Sequence, residues 1–207
     1  TQVETVLPYF IRFMRRFPDL KSLAESSESD LLKAWEGLGY YSRARNLHKA
    51  AKLVYETMGG EIPSTAAALQ ALPGIGRYTA GAIASIAFSE AVPALDGNIR
   101  RVYARVLADE APLGSPASDK RLWAYARAQM PADRPGDFNQ ALMELGALIC
   151  RPKQPLCQSC PLAWACQSFK QGKQAEIPVK KLKTAVPEIT VTAAVIRKGS
   201  HVLIQRR

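Results

Sequence analysis

Leu72-Pro73-Gly74-Ile75-Gly76-Arg77-Tyr78-Thr79-Ala80-Gly81-Ala82, followed by Leu95-Asp96-Gly97-Asn98, decides how this chain is read. Apolar residues before it (Ala68, Leu69, Leu72) and after it (Ala80, Ile83, Ala84, Ile86, Ala87) recur at helical spacing, so Pro-Gly-Ile-Gly joins two helices in a tight hairpin. Pro73 stops the first helix, and Gly74 and Gly76 offer positive φ and close backbone approach. Behind Gly76 the second helix starts with unpaired N–H groups and a positive dipole end, and Arg77 adds a charge, which suits a phosphate. Val92-Pro93-Ala94-Leu95-Asp96 is an extended entry into a further helix carried on by Asn98, Ile99, Val102, Ala104 and Val106. Asp96 falls at its N-terminus, where capping is one role open to it.

Upstream, Val3, Val6, Leu7, Phe10, Ile11, Met14 and Phe17 follow an amphipathic helical period, with Arg12, Arg15 and Arg16 mostly on the other face. Ser27 or Ser29 caps a short helix through Trp35, ended by Gly37 and Gly39. The next stretch, Gly37-Leu38-Gly39-Tyr40-Tyr41-Ser42-Arg43-Ala44-Arg45, sets an aliphatic and two aromatics beside two arginines. Such a set either packs a helix start or wedges into a gap in stacked bases, with Arg43 and Arg45 on the flanking phosphates. A helix runs from Tyr41 to about Met58, and Ser64-Thr65 caps the first hairpin helix.

Downstream, residues 116–129 read as a helix capped by Ser115 or Ser118, and Asp137 opens another with Ala141, Leu142, Leu145, Leu148 and Ile149 facing inward. The chain's four cysteines follow, Cys150, Cys157, Cys160 and Cys166, with six, two and five residues between them. Two disulfides, zinc or an iron–sulfur cluster fit four thiols so close. No secretory signal favours disulfides, and only Cys157 and Cys160 form a zinc-type knuckle. From Gln167 to 187 the text is polar and lysine-rich, the pattern of a linker. Ile189–Ile196 and His201–Arg206, about a turn at Lys198-Gly199-Ser200, read as two strands.

The 207 residues are 47% hydrophobic, enough for a core, and carry a net charge of +10. From Gln167 onward there are nine Lys/Arg against two Asp/Glu, which leaves only +3 for residues 1–166. Charge alone therefore points only weakly to a polyanion. No apolar run nears the roughly 18 residues of a membrane span. With no targeting signal seen, a cytoplasmic, nucleoid-associated monomer is expected.

Leu-Pro-Gly-Ile-Gly-x-Tyr-Thr-Ala with Leu-Asp-Gly-Asn resembles the helix-hairpin-helix and catalytic aspartate of the DNA glycosylase superfamily that includes endonuclease III and the adenine DNA glycosylases. The resemblance implies a mainly α, helix-hairpin-helix glycosylase fold over 1–149, a [4Fe–4S] loop held by all four cysteines over 150–166, a linker over 167–187, and the first β-hairpin of a truncated Nudix-like domain over 188–207. It implies double-stranded DNA bearing an adenine mispaired with 8-oxoguanine or guanine as partner. Gly74, Ile75, Gly76, Arg77 and Thr79 would hold the backbone, Leu38, Gly39, Tyr40, Tyr41, Arg43 and Arg45 would form the wedge loop, and Arg151 and Lys153 would reach phosphates from the cluster loop. Asp96 would face the sugar of a flipped-out nucleotide, with Tyr78 and Asn98 positioning it. Bifunctional relatives carry a Schiff-base lysine where this chain has Tyr78, so a monofunctional adenine glycosylase is expected over an endonuclease III-like lyase or a binding-only module. In that branch a catalytic glutamate lies nearly two turns before the Thr-Gln-Val-Glu-Thr-Val helix. The expectation is accordingly a fragment without its general acid.

Overall fold

The computed structural model describes residues 3–180, 188–192 and 194–203. Ten α-helices appear among them: α1 (Val3–Arg16), α2 (Leu20–Ala24), α3 (Glu28–Ala34), α4 (Tyr41–Thr57), α5 (Ala66–Leu69), α6 (Arg77–Phe88), α7 (Gly97–Leu107), α8 (Pro116–Gln129), α9 (Pro135–Glu144) and α10 (Gln167–Lys170). Short polar caps start five of them. Ser27 accepts from Asp30 N–H, Thr65 from Ala68 N–H, Asp96 from Ile99 N–H and Ser115 from Ser118 N–H. α2, which no periodicity announces, is held by a reciprocal capping box between Asp19 and Ser22. No helix among the described residues is long and apolar enough to cross a membrane.

Three apolar clusters hold the helices together. One joins Phe17, Leu23, Ala24 and Leu31 to Ala44 and Ala51, and a second joins Ala50 and Val54 to Leu69, Leu72, Ala80 and Ala84. α4 therefore serves both, with its small residues turned to each side. The third gathers Leu95, Ile99, Val102, Tyr103 and Val106 of the α7 region with Leu122, Trp123 and Ala126 of α8, Leu142 of α9, and Ile177. α7 is thus enclosed on nearly all sides, and even its Arg101 and Arg105 are buried.

Four expectations need correction. Gly76 sits at φ −82°, an ordinary extended conformation, so positive φ is not what this position uses. The helix expected to carry Leu145, Leu148 and Ile149 inward changes phase after Glu144 into a π-helical turn, Leu145–Ile149, closed by Cys150 N–H donating to Leu145 C=O at 2.7 Å. One extra residue per turn rotates Leu148 outward, where it is 65% exposed, and Ala141 is exposed as well. Residues 167–180 are not a free linker: α10 packs on α7, Ile177 is 2% exposed in the core, and Leu113 N–H donates to Val179 C=O at 2.9 Å. Residues 181–187 lie outside the described residues. Finally, the expected strand over 189–196 is not formed among its described residues: β1 (Arg197–Lys198) begins after it and takes Lys198 from the expected turn, pairing antiparallel with β2 (His201–Val202) in the register Arg197↔Val202 and Lys198↔His201. Both faces are exposed, and a two-stranded ribbon has no third partner to lengthen it. Ala193 and residues 204–206 of the expected strands, like Thr1 and Gln2, lie outside the described residues.

Candidate active site and cysteine loop

The hairpin turn is built from the chain outward. Gly74 has φ +75°, and a Cβ there would stand 2.5 Å from the Asn46 Cβ, so only glycine lets the turn lie on α4. Ile75 is half-buried against the second cluster and anchors the loop. At Gly76 a Cβ would meet nothing within 4 Å, which leaves the first N–H groups of α6 open to an approaching anion. Arg77 does not extend from this end: its guanidinium lies over the Trp123 ring at 3.6 Å from the centroid. Thr79 is half-buried one turn on.

α6 delivers Tyr78 toward the start of α7. A Cβ on Gly81 would fall 2.3 Å from the Pro93 carbonyl oxygen, so this glycine lets α6 and the 92–95 segment touch. Buried Asn139 then clamps that segment, donating to Ser85 Oγ (2.9 Å) and Val92 C=O (3.0 Å) while its Oδ1 accepts from Ala94 N–H (3.1 Å). The result is a fixed Asp96. Its Oδ1 accepts from Ile99 N–H at 2.7 Å and its Oδ2 from Asn98 Nδ2 at 2.9 Å. Capping thus uses one oxygen and Asn98 orients the other. Burial first, then the Asp96 carboxylate, push the Tyr78 phenol above its usual range, so Tyr78 stays a protonated O–H donor beside Asp96.

A chain of hydrogen bonds runs from this carboxylate to the cysteine loop. Asn98 Oδ1 accepts from Arg101 Nη2 (2.9 Å), Arg101 Nη2 also donates to Gly146 C=O (2.7 Å), and Arg101 Nε donates to Cys150 C=O (2.8 Å). Gly146 is in the π turn, and a Cβ there would stand 2.6 Å from the Asn98 Cβ. Burial lowers the pKa of Arg101 while Cys150 and Asp96 pull it back up. One turn later, Arg105 donates to the carbonyls of Ile177 (2.7 Å), Arg151 (2.8 Å), Cys150 (3.3 Å) and Pro152 (3.3 Å), and to Cys150 Sγ at 3.2 Å. Sequence reading missed Arg101, Arg105, Gly146 and Asn139. The available signal was two arginines four residues apart on an otherwise apolar helix face.

Cys150, Cys157, Cys160 and Cys166 are free thiols, all half-buried, and all line one small cavity with Arg105, Phe169 and Gln174. Burial, with neighbouring thiols adding to it, pushes Cys157 and Cys160 up, so gathered thiolates need a positive partner. The Gln174 Oε1 beside them is buried without a hydrogen-bond partner. Among the described residues no three His, Cys, Asp or Glu are grouped closely enough to hold a metal as they stand. Arg151 and Lys153 are exposed on this loop.

The loop expected to act as a wedge joins α3 to α4. Tyr40 is 80% exposed in the left-handed region at φ 49°, ψ 52°, and Tyr41 is 39% exposed. A non-glycine residue held there stores strain, which points a large ring into solvent. Arg43 lies between the Trp35 ring (5.8 Å) and the Tyr40 ring (5.4 Å), and Gly39 C=O accepts from Trp35 Nε1 at 3.1 Å. Leu38 turns the other way, into an apolar groove with Tyr9, Phe13 and Leu47, and Arg45 pairs with Glu28 at 2.9 Å. The loop thus presents two tyrosines and one stacked arginine.

Comparison with known proteins agrees with this geometry. Residues 1–124 match the model of the HhH-GPD superfamily base excision DNA repair protein. The chain is 45% identical over 190 residues to the adenine DNA glycosylase of Homo sapiens, covering 91% of this chain and 35% of that protein. It is 37% identical over 206 residues to the adenine DNA glycosylase of Buchnera aphidicola subsp. Schizaphis graminum, covering 100% of this chain and 59% of that one. It therefore spans about a third to three-fifths of the length of these relatives. Among solved structures, a thermostable thymine-DNA glycosylase superposes with a TM-score of 0.70 at 27% identity, over 80% of this chain and 76% of its own. Endonuclease III in a non-covalent DNA complex superposes with 0.66 at 24% identity, over 82% and 78%, and shares the fold. With a family match over residues 1–124 and this fold, the chain belongs to the HhH-GPD superfamily of base excision DNA repair proteins.

Proposed function

We propose that this chain is the glycosylase module of a monofunctional adenine DNA glycosylase, acting on adenine opposite 8-oxoguanine or guanine in double-stranded DNA. The observation that carries the reading is Asp96, a carboxylate fixed by Ile99 N–H and Asn98 with protonated Tyr78 beside it. Kinship with adenine DNA glycosylases supports adenine as the base.

The chemistry follows from charge. When the N-glycosidic bond breaks, its electron pair leaves with adenine, a proton from a general acid of the intact protein neutralises the departing base, and the sugar becomes cationic. Asp96, one oxygen held by Asn98, stabilises that cation in a geometry that needs no reorganisation. Water then supplies hydroxide to the anomeric carbon and releases a proton, leaving an abasic site. The hairpin (Gly74, Ile75, Gly76, Thr79) holds backbone phosphate, and Tyr40 and Tyr41, with Arg43, fill the space of the extruded nucleotide. Leu38, Gly39 and Arg45 support that loop from behind.

Cys150, Cys157, Cys160 and Cys166 are the residues that would hold a [4Fe–4S] cluster. They share one cavity, and the Arg105 N–H aimed at Cys150 Sγ is a donor that a metal-bound thiolate accepts. A bound cluster supplies cross-linking and charge to the loop carrying Arg151 and Lys153. The hairpin at 197–202 is read as the start of a Nudix-like domain.

The test is product analysis with the intact protein on an adenine:8-oxoguanine duplex. Adenine release, with the strand breaking only after alkali, is expected, and Tyr78→Lys is expected to bring in a borohydride-trapped adduct. An efficient wild-type adduct and direct strand scission would replace this reading with a bifunctional lyase.

A further inference from the structure

Beside the hairpin, α6 and α8 face each other across a cleft of about 760 Å³. Four of its lining residues are cationic, Arg77, Arg100, Lys120 and Arg127, and its one acidic lining residue, Asp119, is ion-paired with Arg100. Lys120 and Arg127 are exposed on α8, two turns apart along one face. The Arg77 guanidinium is the odd member, since it is stacked on Trp123. Stacking fixes the plane of this guanidinium in the cleft lining, and a planar guanidinium held in place suits an oxyanion. Burial, followed by the charges of Arg127 and Arg100, lowers the pKa of Arg77, so these cations repel one another in the free protein. Like charges gathered in a concave surface favour an anion that relieves the repulsion. The open N-terminal turn of α6 at Gly76 borders the same cleft and adds its dipole.

We propose that the cleft between α6 and α8, formed by Arg77, Lys120 and Arg127 with Arg100, is a second backbone-phosphate site that receives the DNA strand as it leaves the hairpin. This rests on the reading of the chain as a DNA-acting protein. A single phosphate on the hairpin fixes a point of the strand, whereas a second one on α8 fixes its direction. The strand's path past Tyr78 and Asp96 would then be set by two rigid helices instead of by a loop.

The experiment uses the intact full-length protein and measures duplex affinity against salt for wild type, Lys120→Gln, Arg127→Gln and their double variant, with exposed Lys49→Gln of α4 as control, and follows adenine release in parallel. Each α8 substitution should flatten the log–log salt dependence by about 1 and weaken binding about three- to ten-fold at low salt, while Lys49→Gln leaves the slope unchanged. An unchanged slope in the double variant would overturn the cleft and leave the glycosylase reading standing, provided adenine is still released. Flattened slopes with no adenine release by wild type would keep the cleft and overturn that reading instead. Both α8 side chains are exposed, so equal melting temperatures will show that folding is not what changed.

Discussion

Asp96 has two oxygens with separate work: Oδ1 closes the first turn of α7, and Oδ2 is oriented by Asn98. Asp96→Asn keeps a cap but removes the charge that faces a cationic transition state. In the intact protein, single-turnover adenine release should fall by about 10²-fold or more, whereas duplex affinity should hold or improve, because a carboxylate repels phosphates in the ground state. Wild-type rates in this variant would reduce Asp96 to a helix cap. Gly146 is the less obvious residue. Gly146→Ala would drive a methyl into Asn98, 2.6 Å from its Cβ and 3.0 Å from its backbone. The cost should be about 1–3 kcal/mol in stability, by denaturant melting, together with a lower excision rate although residue 146 touches no substrate. Asp96 was legible in the sequence because Asp-Gly-Asn follows a recognisable hairpin. Gly146 was not, since its reason is an atom 48 positions away in the chain.

α8 depends on a buried acid at its start. Asp109 is 6% exposed and accepts from Ser118 Oγ at 2.7 Å, from Ala111 N–H at 3.2 Å, and from Arg121. Burial alone would raise its pKa, but the bonds from Ser118, Arg121 and Ala111 outweigh it and hold the group below the ordinary 3.8. A depressed folded pKa gives stability that is fully present above 3.8 and is lost as pH falls through the lower folded value. Melting temperature should therefore drop below about pH 4 more steeply in wild type than in Asp109→Asn, and Asp109→Asn should be the less stable protein at pH 7. Identical acid profiles would remove Asp109 from the account. At this scale α4, α6 and α7 were readable, because long apolar periods announce all three and a polar cap, Asp96, announces α7. α2 is too short to show a period, and the π turn is a single inserted residue that no periodic pattern marks. The outward swing of Leu148 followed from that insertion.

Across the whole molecule, the cysteine loop and the segment after it are closure for the helical body. Arg105 ties α7 to Cys150, Arg151, Pro152 and Ile177, and Ile177 itself fills the core. Anaerobically prepared protein should contain iron and sulfide in a [4Fe–4S] ratio. Cys157→Ser should then lose the visible absorbance and open residues 150–180 to limited proteolysis, with weaker DNA binding. One zinc per chain and no iron would overturn the assignment. Residues 167–180 read as a linker because Lys and Gln dominate their text, whereas the packing of α10 on α7, one isoleucine and two carbonyls hold them, and composition cannot show such contacts. Arg105 also fixes an order of events during synthesis. Its acceptors lie 45 to 72 residues downstream, so during synthesis α7 leaves the ribosome before any of them. Its guanidinium gains the Cys150, Arg151 and Pro152 carbonyls first, and the set closes only when Ile177 has emerged from the exit tunnel.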